Sequence, residues 1–128
     1  MIGLDTNVLI RYLTADDAEQ FQRAEQLIEQ QSTKFYINHI VLCELVWVLN
    51  RAYHYDKTTI ILVLEKIINT EQWVIEEQQI VQQAIDTFKI SKADFADCLI
   101  GLKNQQRNCQ TTVSFDFNTS QLTFFTLL

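Results

Sequence analysis

Three features of the 128-residue chain predict an α/β fold with a mainly parallel sheet flanked by helices. Short apolar runs with strand character alternate with longer segments of helical apolar spacing. Apolar residues make up 48% of the chain, enough for a core that needs no disulfide or metal staple. There is no proline, and Gly3 and Gly101 are the only glycines, so connections must be short or polar and helices should dominate. The length fits one domain, residues 1–128.

Ile2 to Leu4 is a short apolar start broken by Asp5-Thr6-Asn7, which reads as a buried strand with Asp5 at its carboxyl tip. Val8 to Leu13 then suits a short helix. Asp16-Asp17 can cap a second helix carrying Phe21, Ala24, Leu27 and Ile28 at helical spacing. Lys34 to Asn38 (KFYIN) is a strand, and Ile40 to Tyr53 a dense apolar helix interrupted by Glu44. Asp56 caps a helix running to about Ile68. Trp73 to Ile75 is a third strand. Ile80, Val81, Ala84, Ile85 and Phe88 mark a further helix, and Asp94 to Asn108 another. Thr111 to Phe115 is a strand ending at Asp116, and Thr123 to Thr126 is the last. In parallel sheets ligands sit beyond the carboxyl ends of the strands, where Asp5 and Asp116 are expected.

The bulk chemistry excludes several functions. A formal net charge of −6 disfavours indiscriminate binding to phosphate backbones or anionic membranes. Cys43, Cys98 and Cys109 are odd in number and lack a CxxC spacing, as expected for reduced thiols in a cytoplasmic protein. No stretch has the character of a signal peptide or a membrane span. His39 and His54 are isolated, and each reads as a surface or capping residue, not a zinc ligand.

The acids carry the chemistry. Glu44 sits inside IVLCELVWVL, where an ionised side chain would be costly to bury unless paired or metal-bound; alone, it reads first as the solvent edge of an amphipathic helix. Asp97 repeats the pattern in ADFADCLIGL. Asp94 lies one turn earlier, where a helix-start acid is also natural and where like charges repel. Asp116 is otherwise a turn aspartate, and Asp5 a helix cap. Taken together, two acids at strand ends and two in apolar helices point to a site that needs a cation. Oxygen-only ligands select Mg²⁺ or Mn²⁺.

The strings LDTNVL, the apolar helix with a central Glu, DFADCLI and VSFD, in that order over nearly the whole chain, resemble the PIN-domain ribonucleases, in particular the VapC-type toxins of bacterial type II toxin–antitoxin systems. The resemblance implies a PIN-like single domain in which Asp5, Glu44, Asp97 and Asp116 form the acidic metal-binding, catalytic quartet. It places Thr6, Asn7 and Ser114 beside that quartet as orienting groups, with Asp94 auxiliary. Cys98 departs from the alanine frequent in the family, and RNCQ from a glycine-containing turn.

The implied activity is Mg²⁺- or Mn²⁺-dependent hydrolysis of structured RNA, tRNA included, to 5′-phosphate and 3′-hydroxyl ends. The implied partners are a VapB-like antitoxin and a second copy of the chain. The quartet and Asp94 hold five of the negative charges, so the rest is nearly neutral, and Arg11, Arg51, Lys89 and Lys92 are the cations on hand for RNA. The alternative is a catalytically silent PIN-like module that binds RNA or protein. A haloacid-dehalogenase-type phosphatase is disfavoured because Asn7 stands where its second Asp is required.

Overall fold

Aspartates start most of the helices, because a carboxylate can accept the backbone N–H groups that a helix start leaves unpaired. In the computed structural model, which describes residues 1–30 and 32–128, Asp5 caps α1 (Thr6–Thr14), Asp17 caps α2 (Ala18–Ile28) and Asp56 caps α4 (Lys57–Ile68). Asn38 does the same for α3 (His39–Arg51), accepting from Val41 N at 2.9 Å. The chain divides into two compact units, Met1–Glu76 and Glu77–Leu128.

In the first unit, β1 (Ile2–Gly3), β2 (Phe35–Ile37) and β3 (Trp73–Ile75) pair in parallel in the order β1-β2-β3. Each crossover runs through a helix pair, α1–α2 and then α3–α4. Parallel pairing brings the carboxyl ends of all three strands to one side, so Asp5, Asn38 and Glu76 follow their strands at the same edge. Leu9, Phe35, Ile37, Leu42, Leu45, Leu49, Leu64 and Ile67 are fully buried, in agreement with the helical spacing of the apolar positions.

The second unit contains α5 (Gln78–Ile90), α6 (Phe95–Gln106) and a parallel two-stranded ladder, β4 (Thr112–Ser114) with β5 (Phe125–Leu127); a short 3₁₀ turn, Phe117–Thr119, follows β4. Phe88 meets Phe95 edge to face at 6.1 Å, closing α5 onto α6. Among the described residues no helix is long and apolar enough to cross a membrane.

The α/β class and the parallel pairing agree with the sequence reading; the limits of the elements differ. The strands are two or three residues long because only those residues find ladder partners, and Lys34, Asn38, Thr111 and Phe115 lie outside them. The final strand is Phe125–Leu127, not 123–126, and the first helix starts at Thr6, directly after its cap. The sheet is two ladders, of three strands and of two.

Candidate metal centre

In the second unit, three carboxylates come together. Asp94 stands at the N-cap of α6, Asp97 in its first turn, and Asp116 at the N-cap of the 3₁₀ turn after β4. One oxygen from each lies within 4.8 Å of the others. Asp94 is the informative member. Unlike Asp5, Asp17, Asp56 and Asp116, its side chain makes no capping hydrogen bond, so helix capping does not account for its position.

Electrostatics within the cluster disfavour charge on Asp97. The Asp97 carboxyl is pushed above the usual carboxylate range, first by burial, then by the charges of Asp94 and Asp116 and by a hydrogen bond shared with Asp116. Every one of these influences opposes ionisation. A divalent ion would offset the charges of Asp94 and Asp116, and an all-oxygen donor set suits a hard one.

Asp116 is held from several directions. Its backbone N–H donates to Ser114 Oγ at 2.9 Å, and its Oδ1 accepts from Asn118 N at 2.9 Å. Its carbonyl accepts from Thr119 Oγ1 at 2.7 Å and from Thr119 N at 3.0 Å. Thr119 is fully buried and was not singled out in the sequence, although an Asp followed three residues later by Thr is a turn signature. Ser114 therefore orients the Asp116 backbone and not its carboxylate.

The first unit holds a second acidic site. Asp5 Oδ1 accepts from Thr6 N at 2.7 Å. Thr6 Oγ1 donates to Glu44 Oε1 at 3.0 Å, so Thr6 orients Glu44 through its side chain and Asp5 through its backbone. Asp5, Thr6, Asn7 and Glu44 line an open cavity of about 420 Å³, with Val48 and Tyr53 on its wall. Asn7 is exposed there, with no hydrogen bond to either acid among the described residues.

One open sequence reading is settled, that of Glu44, and one expectation, for His39, needs correction. Glu44 is exposed, because α3 turns the face of Ile40, Glu44 and Trp47 outward, with Ile40 71% and Trp47 63% exposed. The cost of burying its charge therefore does not argue for metal; its tie to Thr6 gives it a fixed position instead. His39 is buried, not on the surface: its Nε2 lies 2.7 Å from Glu76 O, and its backbone N–H donates to Glu76 Oε1 at 2.9 Å.

Arg11 is also committed within the fold. It pairs with Asp16 at 3.0 Å and donates to Tyr53 Oη at 3.1 Å and to Gln20 Oε1 at 2.6 Å. Arg51 lies 5.9 Å from the ring centre of Trp47.

Comparison with known proteins fits this arrangement. The PIN domain family matches residues 2–124. The VapC ribonuclease of Aquifex aeolicus (strain VF5) is 30% identical over 127 residues, covering 97% of this chain and 93% of that protein. The match runs through the segments that carry Asp5, Glu44, Asp94, Asp97 and Asp116, and on this evidence the chain belongs to the PIN-domain family and is a relative of its VapC-type members.

Proposed function

We propose that the chain is a VapC-type endoribonuclease that depends on a divalent metal, hydrolyses structured RNA such as tRNA to 5′-phosphate and 3′-hydroxyl ends, and is neutralised by a VapB-like antitoxin. The observation that carries this reading is the Asp94–Asp97–Asp116 cluster, whose electrostatics call for a cation. The ribonuclease activity named for the Aquifex relative supports the reaction class. The PIN match covers residues 2–124, through both units, which supports treating residues 1–128 as one PIN domain.

Asp97, Asp116, Asp5 and Glu44 are the proposed metal-binding and catalytic set, with Mg²⁺ or Mn²⁺ as the ion. A bound ion would supply Lewis acidity at the phosphodiester and make water more acidic. The protein's part is positional. Thr6 fixes Glu44 and Asp5, Ser114 and Thr119 fix Asp116, and α6 carries Asp97 and Asp94 on one face. Burial and the charges of Asp94 and Asp116 raise the Asp97 carboxyl, and a bound cation would favour its ionised form. Asp94 joins this set as a supporting carboxylate.

An antitoxin can silence such a site by placing a cationic side chain among the acids. The exposed Ile40 and Trp47 of α3 and Leu62 of α4 are apolar surface that a second copy or an antitoxin would cover. The test is incubation of the purified protein with total RNA, with Mg²⁺ or with chelator, followed by mapping of 5′ ends. Discrete cuts bearing 5′-phosphates, abolished by chelator and by Asp97→Asn, are expected. Cutting that survives both treatments, or cutting of DNA but not RNA, contradicts the proposal.

A further inference from the structure

We infer that Phe115 and Phe117 form a stacking platform for unpaired bases beside the cleaved phosphodiester, so that the RNA is selected as single-stranded or looped at the cut. The inference rests on the ribonuclease reading above and assigns these residues a specificity role within it. The two side chains flank Asp116, one of the three clustered acids, and are 80% and 74% exposed. Neither ring packs against another aromatic ring among the described residues. Single exposed apolar residues are ordinary. Two exposed phenyl rings at i and i+2 around a candidate metal ligand are a different matter, because in the ribonuclease reading they border a residue that the phosphodiester must approach.

The backbone between the rings is fixed. Ser114 Oγ accepts the Asp116 N–H at 2.9 Å, Asp116 Oδ1 accepts the Asn118 N–H at 2.9 Å, and the fully buried Thr119 donates twice to the Asp116 carbonyl. The rings are thus presented on a preformed turn, and little ordering is needed on binding.

Charge points the same way. The chain carries a formal net charge of −6, and residues 77–128 hold Lys89, Lys92, Lys103 and Arg107 against Glu77, Asp86, Asp94, Asp97 and Asp116. Phosphate neutralisation supplies little affinity at such a balance. Stacking on an aromatic face does not depend on counter-charge and accepts any base. Bases in an A-form duplex are already stacked on each other, so the platform favours loops and single strands.

The test compares an RNA hairpin carrying 2-aminopurine in its loop with the same sequence as a duplex, bound to the full-length chain with Asp97→Asn so that the RNA stays intact. We expect the loop to bind better and its emission to be quenched. Phe115→Ala and Phe117→Ala should each weaken loop binding by about tenfold, in line with one base stacked per ring. Phe→Leu should behave like Ala, Phe→Tyr should retain binding, and the duplex should respond to none of them. Equal loop affinity in the Ala variants, or preference for the duplex, overturns the inference. So does a change from dimer to monomer in sedimentation with RNA affinity intact, which would place a second copy of the chain on the rings. If the unmodified chain cuts no RNA with Mg²⁺ while the Ala variants still lose loop binding, the nuclease reading fails and the platform stands.

Discussion

Thr6 Oγ1 donates a 3.0 Å hydrogen bond to Glu44 Oε1, joining the first turn of α1 to the middle of α3 across 38 positions of sequence. Thr6 is buried, so the bond is shielded from competing water on one side. Thr6→Val keeps the shape and removes the donor. It should lower RNA cleavage about 10- to 100-fold, the range for groups that orient metal-site acids, with a stability loss of about 1 kcal/mol. Thr6→Ser should restore most of the cleavage. Steady-state rates and thermal melts of the three proteins check this; a Val variant with full activity would make Glu44's tether irrelevant to catalysis.

The raised Asp97 carboxyl gives a stability prediction whose sign follows from linkage. Its pKa is higher in the folded chain than in the unfolded one, so its contribution is fully present below the ordinary carboxylate pKa and is lost as pH rises through the elevated folded value. In chelator, wild-type stability should therefore carry a penalty at neutral pH that is absent in strongly acidic buffer. Asp97→Asn removes the charge and the penalty. The variant should melt higher than wild type at pH 7 without metal, match it in strongly acidic buffer, and still be inactive. Melting curves across pH in chelator decide the point; a variant less stable at pH 7 would mean that Asp97 is not under strain.

Gly101 tests the packing behind the cluster. It is buried in α6, and a Cβ there would meet Phe124 Cδ2, Phe124 Cε2 and Phe125 Cε2 at 2.5 Å each. Gly101→Ala gains about 1 kcal/mol of helix propensity but forces two rings to move, and overpacking of this kind costs about 1–3 kcal/mol. A net loss of stability is expected, read by denaturant unfolding. A stabilised variant would show that the rings yield freely.

Much of this was legible in the sequence because the signals are local. Asp17 and Asp56 precede helical apolar spacing and cap the helices that follow. Asp5, Asp97 and Asp116 stood out because each interrupts an apolar run. Long-range geometry was less readable. No local signal shows that Asp94 forgoes its capping bond and joins Asp97 and Asp116, that Arg11 is taken by Asp16 and Tyr53, or that Glu76 reaches back to His39. Strand limits were overextended because residues such as Thr111 and Phe115 have strand character but no ladder partner. Glu44 lies at the solvent edge for a related reason: apolar neighbours indicate burial only if the helix face they form is covered, and here Ile40 and Trp47 are open.

The central claim is that the carboxylates of this chain hold a divalent ion. Titration of Mn²⁺ into the full chain, with free Mn²⁺ followed by electron paramagnetic resonance, tests it most directly when repeated for Asp5→Asn and Asp97→Asn. The account predicts that wild type binds Mn²⁺ and that either substitution weakens binding by at least about tenfold. Undiminished binding by Asp5→Asn, or no Mn²⁺ binding by the wild-type chain, would contradict it.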